Sequence, residues 1–295
     1  SGVMAIRVPA EEFHRVAQKY PQLASMMTDI VAERLGRRDQ DALSGKVLQG
    51  YRIERMLGRG GNGIVYLAVD LATQDRVALK MMSHRLVYSD RARVLFQKEA
   101  ETVSRMNHPG IIRLRTSFDA FHTCFIVFDL VEGQTLAARM EAHSLQTDEI
   151  ESVLVGLAET LRYAHARGVI HRDLKPANVM ILPSGRVCLM DFGLAAGPEE
   201  SGVICGTPRY MAPEQRVGKK LTPASDWFAL GVIGYEMFVG RPLFGGDATE
   251  ELGRSFHQWD PDFSRLFDTR LGTSIAHMLR VDPRERIPFP RSSDT

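Results

Sequence analysis

The spacing of apolar positions changes character along the chain. VMAIRVP (3–9) mixes β-branched and apolar residues and stops at a proline, which predicts a short strand. Phe13, Val16, Ala17 and Tyr20 then recur at helical spacing, and Pro21 suits the first turn of a second helix. Leu23, Met26, Met27, Ile30, Val31 and Leu35 line one face of that helix, a stripe that must pack against something. Residues 37–49 (RRDQDALSGKVLQ) are polar and charged and read as a linker. After them the apolar pattern becomes strand-like. YRIERML (51–57), IVYLAVD (64–70), RVALKMM (76–82) and segments 111–117 and 123–129 predict strands, with a helix over about 90–106. From 147 onward helical patterns dominate, at about 147–167, 224–238, 248–257 and 271–280. A strand-rich front and a helix-rich back predict two lobes of an α+β fold.

Composition narrows the class without naming a function. The 295 residues are 44% hydrophobic and 25% charged, enough for a substantial core. A formal net charge of +1 gives no general pull toward nucleic acid or membrane, so neither partner is expected. Cys124, Cys188 and Cys205 lie far apart with no CxxC pair, which points to a reduced, cytoplasmic protein. No apolar run approaches the roughly 20 residues that span a bilayer.

The chemistry-bearing motifs come in a fixed order. Gly58-Arg59-Gly60-Gly61-Asn62-Gly63 precedes a β-branched, aromatic stretch rather than a helix. That context disfavours a dinucleotide-binding turn and favours a glycine hairpin that lays backbone over a nucleotide triphosphate. Lys80 ends the apolar run VALK, and a carboxylate on the following helix, Glu99 or Glu101, could hold it against phosphates. HRDLKPAN (171–178) and Asp191-Phe192-Gly193 follow. Phosphoryl transfer needs a group that orients the nucleophilic hydroxyl and accepts its proton, and Asp173 suits that role. Lys175 suits the γ-phosphate, and Asn178 and Asp191 offer the hard oxygens that Mg²⁺ prefers.

These motifs together resemble a eukaryotic-like (bacterial-type) Ser/Thr protein kinase from about residue 51 to near the C-terminus. The resemblance also rests on Ala212-Pro213-Glu214 and Gly206-Thr207. It implies a two-lobed kinase fold: a small β-rich N-lobe (about 50–131) with one regulatory helix, and a larger helical C-lobe (about 132–290). An N-terminal helical extension (3–36) and the linker (37–49) precede it. It selects Glu99, nine residues before His108, as the partner of Lys80. It implies ATP against Gly58, Gly60, Gly63, Val65, Ala78 and Lys80, with backbone groups of Asp129 and Val131 at the adenine. Mg²⁺, or Mn²⁺ in its place, would sit on Asn178 and Asp191. Lys175 and Thr207 would accompany a short substrate hydroxyl at Asp173. Asp226 resembles the aspartate that braces the catalytic loop, and Arg286 the arginine that pairs with Glu214. A small-molecule phosphotransferase of the aminoglycoside type generally lacks GTPRYMAPE, the peptide-receiving platform. A non-catalytic pseudokinase scaffold usually loses Lys80, Asp173 or Asp191 equivalents, and all three stand here. A protein substrate is the expected partner, with a homo-oligomer as a further option.

Two regions depart from the resemblance. Residues 3–36 resemble the closing strand and helices of a cyclic-nucleotide-binding domain, without its nucleotide-contacting β-roll, so a preceding regulatory domain is expected. After Arg286 only IPFPRSSDT remains, too short and proline-broken for the usual last helix, so either truncation or a short lobe is expected. Between Gly193 and Gly206 the only hydroxyl is Ser201, with Glu199 and Glu200 beside it. The switch is therefore either phosphorylation of Ser201 or pressure from the N-terminal helices, the second being favoured.

Overall fold

The computed structural model describes residues 43–60, 63–82, 90–120, 123–142, 145–192, 206–244 and 269–290, with the isolated positions Glu12 and Arg15. The expected N-terminal elements (3–36), the helix over 248–257 and the segment carrying Glu199, Glu200 and Ser201 lie outside the described residues. The chain divides into two compact units, residues 1–100 with 114–130, and residues 101–113 with 131–295.

The first unit is a six-stranded antiparallel sheet in the order β1-β2-β3-β4-β6-β5. Its strands are β1 (Val47–Leu48), β2 (Tyr51–Gly60), β3 (Gly63–Asp70), β4 (Arg76–Met82), β5 (Leu114–Ala120) and β6 (Thr123–Asp129). The helix α1 (Asp90–Ser104) follows β4. Side chains alternate across a strand, so Val77, Leu79 and Met81 point to one face and Ala78, Lys80 and Met82 to the other. The first face joins Ile53, Tyr66, Ala68, Phe125 and Val127 in the core. Burying a side chain of that size stabilises by roughly 1.5–3 kcal/mol. Lys80 thus lies on the face opposite the core.

Three expectations shift here. β2 and β3 extend through the glycines, with Gly58 opposite Val65 and Gly60 opposite Gly63, so the hairpin is sheet almost to its tip. β5 begins at Leu114 instead of 111, because Ile111 and Ile112 serve the other unit. There Ile111 bridges Leu189, and the Ile112 amide donates to the Leu189 carbonyl. Within the stretch read as linker, Val47–Leu48 pair with β2.

The second unit is helical. Its long helices are α3 (Thr147–His165), α5 (Pro223–Val239) and α6 (Arg270–Met278), with short α2 (Leu136–Ala142) and α4 (Pro213–Arg216). Ile150, Val153, Leu154, Leu157, Ala158, Leu161 and Ala164 form the buried stripe of α3. In α5 every residue from Ser225 to Met237 is buried, the mark of a central helix. Gly231 and Gly234 allow α6 to approach closely, since a Cβ there would lie 3.0 Å from Leu279 and Ile275 side chains. A small sheet, β7 (Gln134–Thr135), β8 (Val179–Ile181) and β9 (Val187–Leu189), completes this unit. The described thiols are both buried, Cys124 on β6 and Cys188 on β9. Burial pushes the Cys188 thiol up to about 11, against a smaller pull downward from Arg186.

Candidate active site

In the first unit the predicted lysine–glutamate pair is made. Lys80 Nζ donates to both carboxylate oxygens of Glu99 at 2.8 Å each. Glu99 is buried and Glu101 exposed, because two residues along a helix turn a side chain to the opposite face. The pair is almost wholly shielded, 11% and 3% exposed, so its attraction is little screened. Val65 and Ile126 flank Lys80 as cross-strand neighbours, and Ala78 pairs with Leu67 and Phe128. A Cβ built on Gly58 or Gly60 would meet nothing within 4 Å. Asp129 ends β6, where Arg115 Nε donates to it at 2.5 Å and Arg115 Nη1 to Asp75 at 2.9 Å. The hydrogen bond from Arg115 holds the Asp75 carboxyl below its ordinary value.

The second unit gathers Asp173, Lys175, Asn178 and Thr207. Asp173 Oδ2 accepts from Lys175 Nζ at 2.7 Å, and Oδ1 accepts from both the amide and the hydroxyl of Thr207, each at 2.7 Å. Lys175 Nζ also donates to Thr207 Oγ1 at 2.8 Å. A carboxylate, a cation and a hydroxyl therefore share one ring of hydrogen bonds. A substrate hydroxyl entering there would replace Thr207 Oγ1 as a donor to Asp173 while Lys175 supplies positive charge. Asn178 Nδ2 donates to the Asp173 carbonyl at 2.9 Å, which leaves the amide oxygen, on its other branch, as a ligand. The Met190 amide donates to the Asn178 carbonyl, which ties the residue before Asp191 to Asn178. Asn178 and Asp191 thus fit a hard divalent cation by donor type. Val131 lies two residues beyond β6 and is partly buried.

Beneath this ring lies a brace. Asp226, at the start of α5, accepts the amides of His171 at 2.9 Å and Arg172 at 3.0 Å, and bonds His165 Nε2 at 2.7 Å. Burial alone would raise the Asp226 carboxyl, but the hydrogen bond from His165, the electrostatic pull of His165 and the His171 amide hold it below its ordinary value. His171 Nε2 meets the Met190 carbonyl at 3.1 Å and Nδ1 the Asp173 amide at 3.3 Å, so the neutral Nε2–H tautomer satisfies both. Arg172 and Asp191 hold left-handed backbone, φ 69° and 61°, which only surrounding bonds can maintain. Glu214 and Arg286 form the expected pair, bidentate at 2.6 and 2.7 Å, with Ser225 donating to Glu214.

Sequence reasoning missed three participants. Gln215 Nε2 donates to the Arg172 carbonyl at 2.6 Å, and so holds the strained residue from the side opposite Asp226. Gly206, at φ 117°, is required there, since a Cβ would come within 2.8 Å of that carbonyl and 2.9 Å of Gln215 Nε2. His165 braces Asp226, and Glu236 receives Arg209 and Tyr210. Only Glu236 left a signal, a lone carboxylate in the apolar run WFALGVIGYEMFV.

The class is that of the protein kinases: residues 51–292 match the family model described as protein kinase domain, and the chain belongs to that family. Bacterial kinases are among the relatives it is similar to. The serine/threonine-protein kinase PknA of Mycobacterium tuberculosis (strain H37Rv) is 35% identical over 69% of this chain and 50% of its own length. The probable serine/threonine-protein kinase PknB of Bifidobacterium longum is 35% identical over 67% of this chain and 31% of its own. The serine/threonine-protein kinase pkn3 of Myxococcus xanthus is 36% identical over 82% and 47%. The chain spans about half or less of the length of these curated relatives. Among the described residues no helix is long and apolar enough to cross a membrane.

Proposed function

We propose that this chain transfers the γ-phosphoryl group of ATP to serine or threonine hydroxyls of proteins. The observation that carries the reading is the Asp173–Lys175–Thr207 ring. In it Asp173 orients the acceptor hydroxyl and takes its proton, and Lys175 offsets charge on the phosphoryl oxygens. Thr207 holds the place of a short acceptor and orders the platform beside it. Lys80, fixed by Glu99, steadies the α- and β-phosphates, the glycine hairpin covers them, and the Asp129 and Val131 backbone receives the adenine. Mg²⁺, when bound by Asn178 and Asp191, supplies charge neutralisation on the phosphates. The names of the relatives support serine and threonine as acceptors.

Replacing Asp173 with asparagine removes the base and keeps its shape. We expect autophosphorylation with Mg-ATP to fall by about 10²–10⁴. Undiminished phosphate incorporation in Asp173→Asn overturns the assignment. A pseudokinase would show no incorporation in the wild type either.

The apolar stripe at 23–35 supports a second layer, regulation by a cyclic-nucleotide-binding domain whose closing helices it would form, in a cytoplasmic protein. Residues 3–36 resemble only the closing part of that domain, without the β-roll that carries its phosphate-binding arginine, so cyclic nucleotide should leave the melting temperature of this chain unchanged. A saturable shift would count against the reading.

A further inference from the structure

A pocket of about 270 Å³ in the second unit begins where the catalytic ring ends. Pro176, which follows Lys175 directly, and Arg209 with Tyr210, just after Thr207, form its inner wall. Ala137, Met140 and Glu141 of α2 and Met237 of α5 line it further, with Arg241 at the rim. The volume falls below the roughly 300–1,000 Å³ of small-molecule sites, and at about 30 Å³ per water it holds the equivalent of about nine waters. That is room for one large side chain.

One ion pair sets the character of the pocket. Glu236 stands in the buried helix α5 with its side chain 2% exposed, where an unpaired carboxylate is costly. Arg209 Nε donates to Oε1 at 2.7 Å, and the Tyr210 hydroxyl donates to Oε2 at 2.9 Å. Both carboxylate oxygens are thereby matched from within the chain. Arg209 stays 40% exposed, so the pair is sealed at the carboxylate and open at the cation. Glu141 and Arg241 at the edge oppose each other in sign.

We infer that this pocket receives an uncharged, largely apolar side chain of the protein substrate, and that Arg209 determines this by occupying the carboxylate that would otherwise select arginine or lysine. A basic substrate side chain would have to displace Arg209 or sit beside its like charge, so the repulsion acts as discrimination. The inference rests on the kinase reading and adds the substrate class to it.

The test is a positional-scanning peptide array around a fixed serine or threonine, with wild type, Arg209→Gln and Arg209→Gln/Glu236→Gln. In wild type, one position should disfavour arginine and lysine against leucine by about tenfold in kcat/KM. Arg209→Gln should reverse that preference at the same position alone, and adding Glu236→Gln should erase the gain. Because Arg209→Gln strips a partner from a buried carboxylate and can fail to fold, Ala137→Phe gives a second reading. It narrows the pocket from α2 and should weaken selection for large side chains at that same position. Unchanged profiles in the variants, or wild-type selection of arginine or lysine at the position that Ala137→Phe alters, overturn the inference while the kinase reading stands. Absence of any peptide phosphorylation by wild type overturns the kinase reading and this inference with it.

Discussion

Asp173 and Asp226 lie in the same unit, and both carboxylates are filled with hydrogen bonds, yet their partners differ in kind. Asp226 is bonded by the amides of His171 and Arg172 and by His165. Asp173 is bonded by the side chains of Lys175 and Thr207, with one amide. Main-chain bonds cannot be exchanged without moving the loop that carries them. Side-chain bonds can open for an incoming hydroxyl and close again. The first aspartate therefore shapes the loop, and the second is free to react.

Paired substitutions sharpen this contrast. The largest effect is the loss of activity in Asp173→Asn, and it should come with a melting temperature within about 2 °C of wild type, since asparagine keeps an oxygen to accept the two Thr207 bonds and a typical hydrogen bond contributes only about 0.5–1.5 kcal/mol net. A large fall in melting temperature for Asp173→Asn would break the contrast. Asp226→Ala should instead lower stability by about 3 kcal/mol or more, because two buried amides and His165 lose their acceptor. Denaturant titration reads this directly. Gln215→Leu comes next: it leaves the Arg172 carbonyl without its amide donor, at a cost of about 1–3 kcal/mol. Because that carbonyl belongs to the residue before Asp173, kcat should drop about tenfold while KM for ATP holds. Gly206→Ala presses on the same hydrogen bond, so the double variant should lose less than the sum of the two singles.

The smallest effect is on pH. The Asp226 carboxyl is held below its ordinary 3.8, so its contribution to stability is in place above pH 3.8 and is lost as pH falls below that. An acid-unfolding limb that is identical in wild type and Asp226→Asn would sink that assignment.

Much of this was legible in the sequence because transfer chemistry demands particular side chains at particular separations. HRDLKPAN and the aspartate of Asp191-Phe192 could be read directly, and the helical period placed α3, α5 and α6 to within two residues. What stayed hidden depends on backbone shape. Gln215 matters because Arg172 turns left-handed and presents its carbonyl, and no spacing encodes that turn. α2 has seven residues, too few for a helical period to show. The start of β5 was misplaced because Ile111 and Ile112 are as apolar as a strand yet bridge to Leu189.

The two buried thiols give the molecule its own clocks. Cys124 belongs to the first unit and Cys188 to the second, and each is alkylated only when its surroundings open. With Cys205 replaced by serine, pulsed alkylation and mass analysis would date the opening of each unit separately. A difference between the two rates would show that one unit yields while the other still holds, so that loss of the Lys80–Glu99 pair and loss of the Asp173–Lys175–Thr207 ring are separate events.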